Sequence, residues 1–239
     1  MKAVILAAGA GTRLRPLTDR CPKPMLPIAG RPLLAHTLDW LRAGGVSDVA
    51  LNLHHLPEIV RGGLGDGGAW GITVRYSYEP ELLGTAGAVH RIAELYPGWF
   101  DQTFLVIYGD MLLDVDLADL LDFHRRAGAT LTMALKHTAT PHSQGMVEVD
   151  AGGRVLRFVE KPAAWDGGDH ANAGAYLCEP AVLDAIPAGA SDFGHDVIPA
   201  LLARGARIGG RLARGYLLDI GTPEAYAQAQ RDWGARVKS

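Results

Sequence analysis

Short apolar runs alternate along the chain with longer stretches in which apolar residues recur every three or four positions. Residues 3–8, Ala-Val-Ile-Leu-Ala-Ala, are an uninterrupted apolar run, the pattern of a strand buried on both faces. Leu33, Leu34, Leu38 and Leu41 share one face of a predicted helix over 32–41, and Gly44-Gly45 closes it. Residues 46–53 read as a second strand and 57–64 as a second helix. Residues 71–78 alternate as a half-buried strand. A helix over 86–95 and a fully apolar strand over 103–108 follow. This β-α-β-α-β-α-β order predicts a mostly parallel sheet with helices on both faces.

The second half is more mixed. It reads as a helix over 117–126, a strand over 129–136, and two strands over 145–149 and 154–159 flanking Asp150-Ala151-Gly152-Gly153, a hairpin turn. A strand over 173–178, a helix over 197–203 capped by Asp192 or Asp196, and a last helix from Glu224 complete it. Residues 163–171 are a polar, glycine-rich loop, and no repeat or linker interrupts the chain. The expected fold class is α/β: a three-layer α/β/α sandwich with a mostly parallel mixed sheet and a small antiparallel addition. The expected organisation is one domain over 1–239.

Of the 239 residues, 48% are hydrophobic and 21% charged, the balance of a folded chain with a sizeable core, which excludes extended disorder. A net charge of −3 provides no whole-molecule field for nucleic acid. Residues 1–30 differ: Lys2, Arg13, Arg15, Arg20 and Lys23 face Asp19 alone, so an anionic partner is expected there. Cys21 and Cys178 lie far apart, outside any CxxC pattern, which argues against disulfides and zinc knuckles and fits a cytoplasmic, reducing setting. No apolar run reaches the roughly 20 residues a membrane span needs. The run after Met1-Lys2 reads as a buried strand rather than a signal peptide. A homo-oligomer is compatible with this composition.

Chemistry concentrates after the first strand, in Leu6-Ala7-Ala8-Gly9-Ala10-Gly11-Thr12-Arg13-Leu14. Glycines there let backbone amides approach a phosphate closely. Leu14 stands where a dinucleotide fingerprint needs a small residue, and the Gly-Lys-Ser/Thr of a P-loop is absent. Arg13 and Lys23 lie near this loop, and Pro22 and Pro24 are expected to hold Lys23 extended. Fixed cations beside such a loop suit a triphosphate whose charge rises during reaction. Asp110 ends an apolar strand, where an open α/β sheet presents ligands, and Asp219 follows Tyr216-Leu217-Leu218. Two carboxylates could share one Mg²⁺. Glu160-Lys161-Pro162 closes a strand, with Glu160 and Lys161 on opposite faces if it stays regular. His54-His55 and His195-Asp196 read as structural, and no protein-only zinc site is expected.

The opening loop, with Pro22-Lys23-Pro24-Met25-Leu26-Pro27, resembles the sugar-1-phosphate nucleotidyltransferases, or nucleotide-sugar pyrophosphorylases. The likeness continues through Leu83-Gly84-Thr85-Ala86-Gly87, Gly109-Asp110, Phe158-Val159-Glu160-Lys161-Pro162, Asn172-Ala173-Gly174 and Leu218-Asp219-Ile220-Gly221-Thr222, which covers nearly the whole chain in order. Among them it looks most like the mannose-1-phosphate guanylyltransferases. The resemblance implies the nucleotide-diphospho-sugar transferase, Rossmann-like fold, with 1–135 handling nucleotide, 136–225 sugar phosphate and 226–239 forming a C-terminal helix; with so little sequence after that helix, the β-helix domain of some relatives is not expected. It implies that Gly9, Gly11, Thr12 and Arg13 hold the departing phosphates and that Lys23 contacts the α-phosphate. Leu6, Ala8 and Gly84 would lie against base and ribose, Asp110 and Asp219 would bind Mg²⁺, and in the sugar-phosphate site Gly145, Glu160 and Asn172 would grip the sugar hydroxyls and Lys161 the phosphate. Arg13, Lys23 and Asp110 would be the catalytic residues.

The implied reaction joins a nucleoside triphosphate and a sugar 1-phosphate, with release of pyrophosphate. GTP with a mannose-like 1-phosphate is the favoured pair. UTP or dTTP with glucose 1-phosphate or N-acetylmuramate 1-phosphate is the alternative, and a non-catalytic nucleotide-sugar sensor is the rival from another class.

Overall fold

In the computed structural model, which describes residues 1–236, the first half carries the expected alternation. Its elements are β1 (Lys2–Leu6), the two-residue strands β2 (Pro27–Ile28) and β3 (Arg31–Pro32), α1 (Leu33–Ala43), β4 (Asp48–Leu53), α2 (Pro57–Leu64) and β5 (Thr73–Tyr78). Then come α3 (Gly84–Leu95), β6 (Phe104–Tyr108), β7 (Met111–Val115) and α4 (Leu117–Ala127). The rest comprises β8 (Leu131–His137), β9 (Gly145–Val149), β10 (Val155–Glu160), β11 (His170–Cys178), α5 (Ile198–Ala203), β12 (Ile208–Leu212), β13 (Gly215–Asp219) and α6 (Pro223–Arg236). Residues 237–239 of the expected C-terminal helix lie outside the described residues. Contacts group the elements into two compact units. Unit 1 holds Met1–Leu82, Ile107–Val115 and the chain from Gly215; unit 2 holds Leu83–Val106 and Asp116–Arg214.

In unit 1, β4 runs parallel to both β1 and β5, with Leu51 opposite Ile5 and Tyr76. Ala3, Val4 and Ile5 are fully buried, as are Val49, Ala50 and Leu51, which is why these strands read as unbroken apolar runs. The predicted face of α1 is the buried one: Leu33, Leu34, Leu38 and Leu41 are all inaccessible. A second ladder, antiparallel, pairs β7 with β13 and sets Met111 opposite Asp219. Neither strand announces itself as a separate periodic element, since each is five residues long with a polar interruption or end. Beneath the ladder Ile28, Leu33, Leu112, Ile220 and Ala229 form one apolar cluster, joined by Tyr216, Leu218, Tyr226 and Trp233. Two side chains of α6, Tyr226 and Gln230, donate hydrogen bonds to the carbonyl of Pro27.

In unit 2, β8 pairs antiparallel with β11 and parallel with β12. β9 and β10 form the predicted hairpin, and Asp150 Oδ1 accepts from the amides of Gly152 and Arg154 to shape its turn. β12 carries two glycines, a composition that hides a strand. A Cβ on Gly209 would meet Phe123 and Thr132 at 2.8 Å, so the glycine lets β12 approach closely. α4 has the sequence-legible ends: Asp116 accepts from the Asp119 amide, and Gly128 stops the helix at φ 53°. The buried His124 bridges the Thr132 hydroxyl at 2.8 Å and Glu179 at 2.9 Å.

The expected helix over 197–203 begins with a π-turn over Phe193–Val197, and its presumed cap is reassigned. Asp192 Oδ1 accepts from the amide and hydroxyl of Thr85, in the first turn of α3, while Asp196 accepts from the Asp192 amide. Among the described residues no helix is long and apolar enough to cross a membrane.

The cluster beside β13 makes a stability test. Ile220 is fully buried, so Ile220→Ala is expected to lower the unfolding free energy by about 2–5 kcal/mol and Ile220→Val by about 0.5–1.5 kcal/mol, measured by urea denaturation. Equal, negligible losses would show that this cluster does not support β13.

Candidate functional site

A buried polar chain fixes the start of the first loop. The Ala7 amide donates to Asn52 Oδ1 at 2.7 Å, and Asn52 Nδ2 donates to Glu79 Oε1 at 2.9 Å. Asn52 and Glu79 are both buried, and the Glu79 amide donates to the Leu53 carbonyl. A buried unpaired amide is costly, so this chain dictates where β1 ends and the loop departs. Sequence reasoning missed it, although Asn52 is the one amide side chain within an otherwise apolar strand core. The end of β6 closes on the same place: the Gly109 amide donates to the Leu6 carbonyl at 2.8 Å, and a Cβ there would also lie 2.8 Å from that oxygen.

The two loop glycines differ. Gly11 has φ 62°, its carbonyl accepts from the Leu14 amide and the Thr18 hydroxyl, and an added Cβ would strike Thr18 at 2.9 Å. The fold requires glycine there. Gly9 has no positive φ, and nothing within 4 Å would meet its Cβ. The fold places no demand on Gly9, so its missing side chain leaves open surface at the loop.

Beyond Gly11 the chain makes short 3₁₀ turns over Thr12–Leu14, Leu17–Asp19 and Lys23–Met25, and the first α-helix waits until Leu33. Leu14 is buried and anchors the first turn, while Thr12 and Arg13 are exposed. Lys23 is not extended, as the flanking prolines suggested. Pro22 is extended, but Lys23 opens the third turn and its carbonyl accepts from the Leu26 amide. The turn buries the lysine stem, leaving its side chain 8% exposed.

That stem delivers Nζ to two carboxylates: Asp110 Oδ2 at 2.6 Å and Asp219 Oδ1 at 3.6 Å. Their convergence follows from the second ladder. Asp110 sits in the turn between β6 and β7, Asp219 lies opposite the next residue, Met111, and the Ile220 amide donates to the Asp110 carbonyl. Asp219 Oδ1 also accepts from the Gly221 amide at 2.7 Å. A Cβ on Gly221 would lie 2.8 Å from both that oxygen and Arg13 Nη2, so the glycine admits carboxylate and guanidinium to one point. Arg13, Lys23, Asp110 and Asp219 are therefore brought together in unit 1 with the glycine loop. The paired carboxylates present hard oxygen donors that suit Mg²⁺, which takes one or two carboxylates beside phosphate oxygens and water. The donor set fits such an ion.

The remaining expected residues lie in unit 2. Gly84 has φ 73°, and a Cβ would fall 2.4 Å from the Ser191 carbonyl, which caps the amides of Ala86 and Gly87; its glycine has a packing cause. Glu160, ending β10, lies against Gly145 and Gly194, where a Cβ would come within 2.6 and 2.5 Å of Oε2. These two glycines make the cradle that the carboxylate occupies, and Gly194 escaped sequence reasoning. Lys161 does not continue the strand on its opposite face. It turns to φ 45°, which brings Nζ back to 3.8 Å from Glu160 Oε1. Asn172 spends its amide internally, donating to the Tyr176 hydroxyl and accepting from the Gly174 amide, so its visible work is to shape the irregularity in β11.

Burial pushes the thiols of Cys21 and Cys178 up, so neither is a poised thiolate. What unit 1 presents is a loop with open backbone, two cations and a carboxylate pair, the equipment of a site for a polyphosphate and its counter-ion.

Comparison with known proteins identifies the family. The nucleotidyl transferase family model matches residues 2–235, and the chain belongs to that family. It is 40% identical over 232 residues to a mannose-1-phosphate guanylyltransferase of Mycobacterium tuberculosis, covering 96% of this chain and 64% of that one. It is 38% identical over 244 residues to a UTP–glucose-1-phosphate uridylyltransferase of Synechocystis, covering 97% and 63%. The chain thus spans just under two thirds of the length of these relatives. The crystal structure of HddC from Yersinia pseudotuberculosis complexed with GMP-PN superposes with a TM-score of 0.78 at 25% identity, over 97% of this chain and 99% of that one. The fold class is the expected α/β class, with a mostly parallel mixed sheet and small antiparallel ladders.

The contrast between the loop glycines is testable. Gly11→Ala is expected to lose about 1–2 kcal/mol of stability in denaturant. Gly9→Ala is expected to keep wild-type stability and lose nucleotide affinity, measured by equilibrium binding. Unchanged affinity in folded Gly9→Ala would remove that residue from the binding surface.

Proposed function

We propose that the protein transfers a nucleotidyl group from a nucleoside triphosphate to a sugar 1-phosphate, releasing pyrophosphate, with GTP and mannose 1-phosphate or a related sugar as the substrates. The observation that carries this reading is Lys23 Nζ fixed between Asp110 and Asp219 beside the glycine loop. The name of the M. tuberculosis relative supports the substrate pair. The 38% identity to the Synechocystis uridylyltransferase supports a second reading, UTP with glucose 1-phosphate. No observation favours a sensor, since Arg13, Lys23 and Asp110 are all in place.

In this reaction a sugar-phosphate oxygen attacks the α-phosphorus, and the bond from that phosphorus to the oxygen bridging to the β-phosphate breaks. The nucleophile is already anionic, so no general base and no covalent intermediate are needed. The work is to bring two polyanions together and to neutralise charge at the α-phosphorus. Gly9, Gly11, Thr12 and Arg13 hold the β- and γ-phosphates. The buried stem of Lys23 costs it few rotamers when its ammonium turns from the carboxylates to a phosphate oxygen. Leu6, Ala8 and Gly84 lie against base and ribose. Glu160, in its glycine cradle, with Gly145 and Asn172, receives the sugar, and Lys161 its phosphate. Asp110 and Asp219 would hold Mg²⁺, which when bound supplies neutralising charge to the phosphates. The protein acts in the cytoplasm, on small-molecule substrates rather than nucleic acid or membrane.

Pyrophosphate release, assayed with four triphosphates against several sugar 1-phosphates, tests the substrate assignment. Greatest kcat/KM is expected for GTP with mannose 1-phosphate; a UTP and glucose 1-phosphate optimum would establish the second reading, and no turnover with any pair would overturn both. Lys23→Ala is expected to lower kcat by about 10²–10³, the cost of one well-placed charge partner, while the far-ultraviolet circular dichroism stays unchanged. A near-wild-type kcat would remove Lys23 from the mechanism.

A further inference from the structure

A second group of metal-ligating side chains lies in unit 2, where the sequence suggested none. β8 and β11 pair antiparallel with His137 directly opposite His170. The Thr138 amide donates to the Asp169 carbonyl at 2.9 Å, so 138 and 169 form a hydrogen-bonded pair, and 137 and 170 form the adjoining non-hydrogen-bonded pair. Side chains approach most closely at such positions. The two imidazole rings are accordingly 5.3 Å apart and tilted by 38°. Asp169, one residue before β11, turns its carboxylate back so that Oδ2 lies 2.8 Å from His137 Nδ1. One donor atom from each of His137, Asp169 and His170 lies within 4.8 Å of the others.

We propose that His137, Asp169 and His170 form a site for a borderline transition-metal cation, Zn²⁺ in chemical class, separate from the phosphate-binding loop. Bonds of about 2.0–2.2 Å place tetrahedral donors roughly 3.3 Å apart, inside the 2.8 to 4.8 Å range of these atoms, so small side-chain rotations close the set. Two imidazoles and one carboxylate suit Zn²⁺ and are poor ligands for Mg²⁺, which separates this site chemically from Asp110 and Asp219. The His137–Asp169 contact alone would be an ordinary surface ion pair. The facing His170 is what that pair does not explain, since its imidazole makes no hydrogen bond among the described residues. Three protein ligands leave a coordination position for water. The ion would tie the start of β11 to the end of β8 and so close the base of the loop over 163–169.

Calorimetric titration of the untagged full chain with Zn²⁺, in excess Mg²⁺, tests this. One equivalent is expected to bind, with His137→Ala and His170→Ala each weakening it at least about 100-fold, more than the loss of an outer-shell partner. Co²⁺ is expected to give a visible d–d band, and Zn²⁺ a rise in Tm, that both histidine variants lack. An Asp110→Asn/Asp219→Asn double variant, used once its circular dichroism matches the wild type, is expected to bind Zn²⁺ like the wild type. No binding by the wild type, binding retained in either histidine variant, or loss in the Asp110/Asp219 variant would each overturn the site.

Discussion

The arrangement of unit 1 turns on one ammonium group held by two carboxylates. Asp110 and Asp219 would repel each other without a cation, and the stem of Lys23 is too buried for its charge to go elsewhere without a partner. Each member therefore needs the others. The 3₁₀ turn that starts at Lys23 fixes the stem, the turn after β6 fixes Asp110, and the ladder between β7 and β13 fixes Asp219. The carboxylate oxygens offer ligands to a further cation, and Lys23 and Arg13 offer charge to an anion. The pair of substrates proposed for this chain, polyanions accompanied by a divalent ion, supplies both.

Much of this was readable from residues alone, for identifiable reasons. β1, β4 and β6 are buried on both faces, and burial on both faces leaves an unbroken apolar run. α1 declares itself by its leucine spacing and α4 by Asp116 and Gly128. β12, β7 and β13 stayed hidden because their identity lies in their partners. Two glycines erase β12 as a pattern, and nothing near Met111 announces that Asp219 pairs beside it. The site follows the same rule. Motifs pointed to Arg13, Lys23, Asp110 and Asp219, whereas the Asn52–Glu79 chain, the capping of α3 by Asp192 and the facing of His137 with His170 depend on register between distant segments.

The glycines show why a shared residue type does not mean a shared role. Gly11, Gly84 and Gly109 are required by backbone conformation or by a carbonyl packed against them, and Gly145 and Gly194 make room for the Glu160 carboxylate. Gly9 answers to nothing inside the chain. Of these positions it is the one whose small size is best explained by something the chain binds, which makes it more informative about function than its better-constrained neighbours.

The β7–β13 ladder has a consequence for biosynthesis. Asp219 and the helix that anchors its strand leave the ribosome well after the glycine loop and Lys23. Until residue 219 has emerged, Asp110 is the one carboxylate of this pair that Lys23 could meet. The carboxylate pair is thereby completed only once β13 has paired with β7, so a chain that stops short of residue 219 cannot assemble it.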